Sequence, residues 1–173
     1  MPSGDQAGSS FRPGARVSWV GFDSPMAMTG VVIVGVLCAL AFHDVFAAGA
    51  SYYGIGDLEA LRRETHKFES HYDQSLIGPY PDRRDLYVAR SPLHAVDRIR
   101  HPVIFFQGLD DRVVPAGQAK AMAAALQARG IRVELVTFAG EGHGFRRAET
   151  IARALEEELA FYRAVLRLPA EIP

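Results

Sequence analysis

The sequence predicts an α/β fold: a mostly parallel sheet with helices on both faces. Three observations carry this. PVIFFQG (102–108) and RVELVTFAG (132–140) are apolar runs of strand length that close on glycines. PAGQAKAMAAALQARG (115–130) and the stretch from Ala148 to Leu168 repeat their apolar residues at helical spacing. The two kinds of segment alternate, and strands joined through helices run parallel and are covered on both sides.

Taken in order, residues 1–30 are atypical. Their Gly, Ser and Pro content and lack of a sustained period predict disorder over most of this segment. VVIVGV (31–36) is a buried strand or the start of a helix running to Phe42. The enclosing run MAMTGVVIVGVLCALAF (26–42) has no charge, with Arg12 and Arg16 upstream. It reads as buried α/β core, or alternatively as a short membrane span or signal peptide. FAAGASYYG (46–54) predicts a small-residue strand, and DLEALRRETHKF (57–68) a helix capped by Asp57. Residues 70–92 form a proline-broken connection, followed by a short helix from Pro92 to Arg98.

Beyond the strand at 102–108, the helix at 115–130 starts near Pro115, buries Ala119, Met122, Ala123 and Leu126, and stops at Gly130. In the strand at 132–140, Val133, Leu135 and Thr137 share one side. The last helix is expected to bury Ile151, Leu155, Leu159, Tyr162 and Leu166. Residues 169–173 are a tail.

Composition narrows the function. A net charge of −1 without a basic, aromatic-interleaved patch argues against nucleic acid. The single cysteine, Cys38, rules out an internal disulfide and fits a reducing cytoplasm, with membrane association through 26–42 as the alternative. His66, Glu69 and His71 stand at i, i+3 and i+5, which does not put all three on one helical face, so no metal site is expected. GIGDLEA (54–60) lacks the full glycine fingerprint of a dinucleotide site, and no cofactor is expected.

Chemistry gathers after the strands. GLDDRVVP (108–115) places Asp110 and Asp111 behind one strand, and AGEGHGF (139–145) places His143 behind the next. A carboxylate that accepts a hydrogen bond from one imidazole nitrogen fixes the tautomer, leaving the other nitrogen to take a proton from a hydroxyl. Gly142 and Gly144 let the histidine loop turn toward the acid.

GLDDRVVP, the helix to Gly130, RVELVTFAGEGHGF and the final helix resemble the C-terminal part of the prolyl oligopeptidase family catalytic domain. LCALAFHDVFAAGASYYGIGDLEAL (37–61) is similar to the stretch after the nucleophile helix in bacterial members. The resemblance runs over about residues 36–168. It implies part of an α/β-hydrolase fold and serine-type hydrolysis of peptide bonds without a cofactor. By the family pattern Gly-x-x-Asp-x-x-Val-Pro, counted from Gly108, the triad acid is Asp111 rather than Asp110, and the base is His143.

The family's Gly-x-Ser-x-Gly elbow has no counterpart. Its serine would fall near Gly30, where the chain reads TGVVIVGV. Ser10 is followed two residues on by Arg12, Ser24 lies between Phe22 and Met26, Ser51 has Tyr53 in place of the second glycine, and Cys38 lies between Val36 and Leu40. One oxyanion donor belongs to the residue after the nucleophile and is lost with it. The expectation is an incomplete hydrolase that is inactive alone, or a non-catalytic or membrane-anchored interaction fragment. VVIVGV, as an edge strand, would promote self-association, and the Ala-rich face of 116–129 would lose part of its cover.

Overall fold

A computed structural model of the chain describes residues 29–43, 46–64 and 72–169. The segments 1–28 and 170–173, and His66, Glu69 and His71, lie outside the described residues. Element order is α1 (Thr29–Phe42), β1 (Gly49–Tyr52), α2 (Leu58–Glu64), α3 (Tyr72–Leu76), α4 (Arg84–Ala89), a 3₁₀ segment (Pro92–Arg98), β2 (Val103–Gly108), α5 (Gly117–Ala128), β3 (Val133–Phe138) and α6 (Ala148–Leu166).

The three strands form a parallel sheet in the order β1-β2-β3, with Gly49 beside Val103 and Val103 beside Val133. β2 is central, and all six of its residues are buried. Its side chains alternate between two cores, as strand geometry requires. Val103 and Phe105 pack with Leu37 and Leu40 of α1 and with Ala119, Met122 and Leu126 of α5. Ile104 and Phe106 face the opposite side, against Phe138, Phe145, Ala154, Phe161 and Tyr162.

Of the two readings of VVIVGV, the helix holds: it lies within α1. Leu37 is fully buried in the core, so the C-terminal part of α1 covers the sheet. The helix has 14 residues, about 21 Å of rise against the roughly 30 Å of a bilayer's hydrocarbon core. Among the described residues no helix is long and apolar enough to cross a membrane.

Two expectations therefore change. The strands with a neighbour on one side only, among the described residues, are β1 and β3, while VVIVGV is no strand at all. The Ala-rich face of α5 also keeps its cover, because α1 supplies Leu37, Leu40 and Ala41 to the same core.

The α5 stripe is as expected, with Ala119, Met122, Ala123 and Leu126 all buried. Asp57 caps α2, its Oδ1 accepting the N–H groups of Glu59 (2.9 Å) and Ala60 (3.1 Å). The 70–92 connection is less irregular than expected and contains α3 and α4.

The α6 stripe departs by about one residue. Thr150, Ala154, Glu158, Phe161 and Tyr162 are buried, while Leu155 and Leu159 are 47% and 41% exposed. Polar anchors on the inner face agree with this rotation. Tyr52 donates a 2.7 Å hydrogen bond to Glu158, and the Thr150 hydroxyl donates to Glu141. A hydrophobic count gives such pairs no weight.

Candidate active site

Parallel strands release their loops at one edge of the sheet, where the residues after β1, β2 and β3 meet. Gly108 ends β2 where the two following loops converge. A Cβ there would collide with the carbonyl oxygens of Glu141 and Gly142. That close approach lets the Asp110 N–H reach the Glu141 carbonyl at 2.9 Å and ties the acid loop to the histidine loop.

Asp111 is buried beneath this junction. Its Oδ1 accepts the backbone N–H groups of Val113 (2.9 Å) and Val114 (2.8 Å). Its Oδ2 accepts Gln107 Nε2 at 3.3 Å and lies 3.0 Å from His143 Nδ1. The Asp111 side chain is fully buried, and that of His143 is 19% exposed. Asp110, by contrast, is exposed and contributes its backbone. With Asp111 ionised, Nδ1 carries the proton and the unprotonated Nε2 is the remaining acceptor. Among the described residues the ring's hydrogen bond is to Asp111 alone. An imidazole held this way can deprotonate a hydroxyl brought to about 2.6–3.2 Å of Nε2.

Three further side chains shape the pair, and none was apparent from sequence. Gln107 is fully buried in β2, and its Nε2 also reaches the carbonyls of Gly108 and Val114 at 3.1 Å each. Glu141 is buried two residues before the histidine. It accepts the N–H groups of Arg146 (3.0 Å) and Arg147 (3.1 Å) and the Arg147 Nε (3.1 Å). The Arg146 N–H foremost, with the Thr150 hydroxyl and Arg147, holds its carboxyl down at about 2 against the opposing effect of desolvation. Glu141 thus fastens the histidine loop to the start of α6.

Tyr53 follows β1 with φ 54°. Its hydroxyl accepts the Phe145 N–H at 2.7 Å. Its ring centroid lies 5.1 Å from that of the His143 imidazole. Burial pushes its phenol up to about 12. The one sequence sign for Tyr53 was its place at the end of a strand. Gln107 and Glu141 gave none, because a strand Gln and a loop Glu are commonplace.

The nucleophile candidates fall elsewhere. Ser51 is buried within β1, its Oγ unpartnered and filling the space that a Cβ at Gly54 would need. Cys38 lies in α1, its Sγ 3.8 Å from the Arg90 carbonyl, and burial pushes its thiol up, away from the reactive thiolate. Ser10 and Ser24 lie outside the described residues. No group of three or more His, Cys, Asp or Glu that could hold a metal occurs among the described residues.

The fold and the sequence have counterparts. Residues 30–168 match the model of the prolyl oligopeptidase family. The chain belongs to that family. Dipeptidyl aminopeptidase BIII of Pseudoxanthomonas mexicana is 32% identical over 111 residues, which is 61% of this chain and 16% of that protein. The solved structure of a Mycobacterium tuberculosis puromycin-hydrolyzing peptidase superposes with a TM-score of 0.73 at 48% identity, over 75% of this chain and 20% of that one. A puromycin hydrolase structure gives 0.74 at 40% identity, over 79% and 21%. This prolyl oligopeptidase family chain therefore spans about a fifth or less of the length of these relatives.

Proposed function

We propose that Asp111 and His143 are the acid and base of a serine-type peptidase centre acting on peptide substrates, and that this chain does not hydrolyse them alone. The observation that carries the first half is the 3.0 Å contact between Asp111 Oδ2 and His143 Nδ1, with the carboxylate's other oxygen fixed by two backbone N–H groups. The second half rests on the sequence. No Gly-x-Ser-x-Gly occurs in the 173 residues, and the buried Ser51 is unsuited to the role. Puromycin is an aminoacyl amide, so the likeness to puromycin-hydrolysing proteins favours amides of this kind, with peptides, as substrates of the complete centre.

In this reading residues 31–168 are the C-terminal part of the hydrolase domain, joined by Thr29 and Gly30 at the start of α1, and 169–173 are a tail. The protein works in the cytoplasm, where its free Cys38 stays reduced. Fluorophosphonate labelling followed by mass spectrometry, with hydrolysis assays on peptides, esters and puromycin, tests the proposal. We expect neither adduct nor turnover. Stoichiometric labelling abolished by Ser51→Ala would overturn the claim of inactivity and make Ser51 the nucleophile.

A further inference from the structure

The bond to Asp111 fixes one nitrogen of the His143 ring but leaves a freedom. An imidazole held at Nδ1 alone can still rock about that contact and swing Nε2 away from a substrate. Glu141 anchors the loop beyond the histidine, and Tyr53 adds two restraints of its own. Its ring lies beside the imidazole, 5.1 Å between centroids and tilted by 48°. Its hydroxyl accepts the N–H of Phe145, two residues after His143, at 2.7 Å.

Tyr53 is itself firmly held. Its backbone N–H reaches the Phe106 carbonyl at 3.0 Å, and its ring meets Phe145 edge-on at 4.8 Å. It also adopts φ 54°, in the left-handed region that side-chain-bearing residues rarely occupy. A strained backbone at the mouth of a candidate site is the pattern expected where a side chain must be aimed.

We infer that Tyr53 is the positioning residue of His143, its ring setting the plane of the imidazole and its hydroxyl anchoring the loop that carries it. The inference rests on reading Asp111 and His143 as the acid–base pair. It makes the end of β1 part of the site, although Tyr53 touches no reacting atom. The charged and titratable groups around it are His143 and Tyr52, whose rings lie 5.1 and 6.1 Å away, with Asp111 and Glu141, both of which push the phenol up.

The test uses the full chain labelled with ¹⁵N-histidine, as wild type, Tyr53→Phe and Tyr53→Leu. The readouts are the tautomer of His143, the solvent exchange of its Nδ1–H and deuterium exchange of the Phe145 amide. Tyr53→Phe keeps the ring, so the Nδ1–H should stay within about twofold of wild type while the Phe145 amide exchanges about tenfold faster, as expected for the loss of one hydrogen bond. Tyr53→Leu should speed both exchanges about tenfold and mix the tautomers.

Unchanged tautomer and exchange in Tyr53→Leu, with cooperative unfolding retained, would overturn the inference. If Tyr53→Leu does not fold, the Phe145 amide in Tyr53→Phe decides: exchange at the wild-type rate overturns the inference. Absence of the Nδ1–H form from wild type would instead sink the acid–base reading itself, so the two failures are distinguishable.

Discussion

Replacing Asp111 by Asn tests the centre with almost no change of shape. The Asn oxygen can still accept from the N–H groups of Val113 and Val114, so the turn after β2 keeps its anchor. The other end becomes an NH₂ group facing two donors, Gln107 Nε2 at 3.3 Å and His143 Nδ1 at 3.0 Å. Two bonds to a carboxylate are lost, each worth about 1.5–3 kcal/mol when one partner is charged. His143 can recover part of this by moving its proton to Nε2 and accepting from the new amide. Gln107 cannot, because it stays buried against a donor. The net destabilisation should be about 2–4 kcal/mol, together with a switch of His143 to the Nε2–H tautomer, which cannot act as a base. Denaturant titration measures the first and ¹⁵N chemical shifts the second. A loss below about 0.5 kcal/mol with the Nδ1–H form intact would refute the account of Asp111 as the fixed orienter of the imidazole.

Two further outcomes follow from the geometry. Glu141 is held at about 2 in the folded chain, below the roughly 4.3 of a free glutamate. Its contribution should be complete above that ordinary range and fade as pH falls toward 2. Denaturant midpoints between pH 7 and 3 should fall less steeply in Glu141→Gln, and equal slopes would contradict the assignment. β1, which like β3 is paired on one side only among the described residues, should mediate self-association through its outer edge. Light scattering should report species larger than a monomer, and a monodisperse monomer with protected β1 amides would refute it.

How legible the site was depends on the kind of signal each residue gives. Asp111 and His143 were readable because each follows a strand among turn-forming glycines, and the topology brings those strand ends together. The α5 stripe was readable because Ala119, Met122, Ala123 and Leu126 repeat at helical spacing, although the buried Gln118 beside them was not. The α6 register was not, because Glu158 and Thr150 occupy inward positions through hydrogen bonds to Tyr52, distant in sequence, and to Glu141 in the preceding loop. VVIVGV stayed ambiguous because six β-branched or small residues suit a buried strand and a buried helix equally, and the packing of the neighbouring Leu37 and Leu40 decides between them. Gln107 and Glu141 gave no sign, and Tyr53 only its place after a strand, because their roles are pairwise and appear only once the loops touch.

That distribution of contacts bears on what can fail independently. Asp111 is fixed by Gln107, Val113 and Val114. The His143 loop is fixed by Glu141, Arg146 and Arg147. All of these lie between β2 and the start of α6, so the pair is built by the β2–α5–β3 unit and its two loops. Tyr53 is the exception, bringing the end of β1 against the imidazole. The Asp111–His143 contact is therefore assembled from described residues that follow β1, and Tyr53 is what ties it to the first strand.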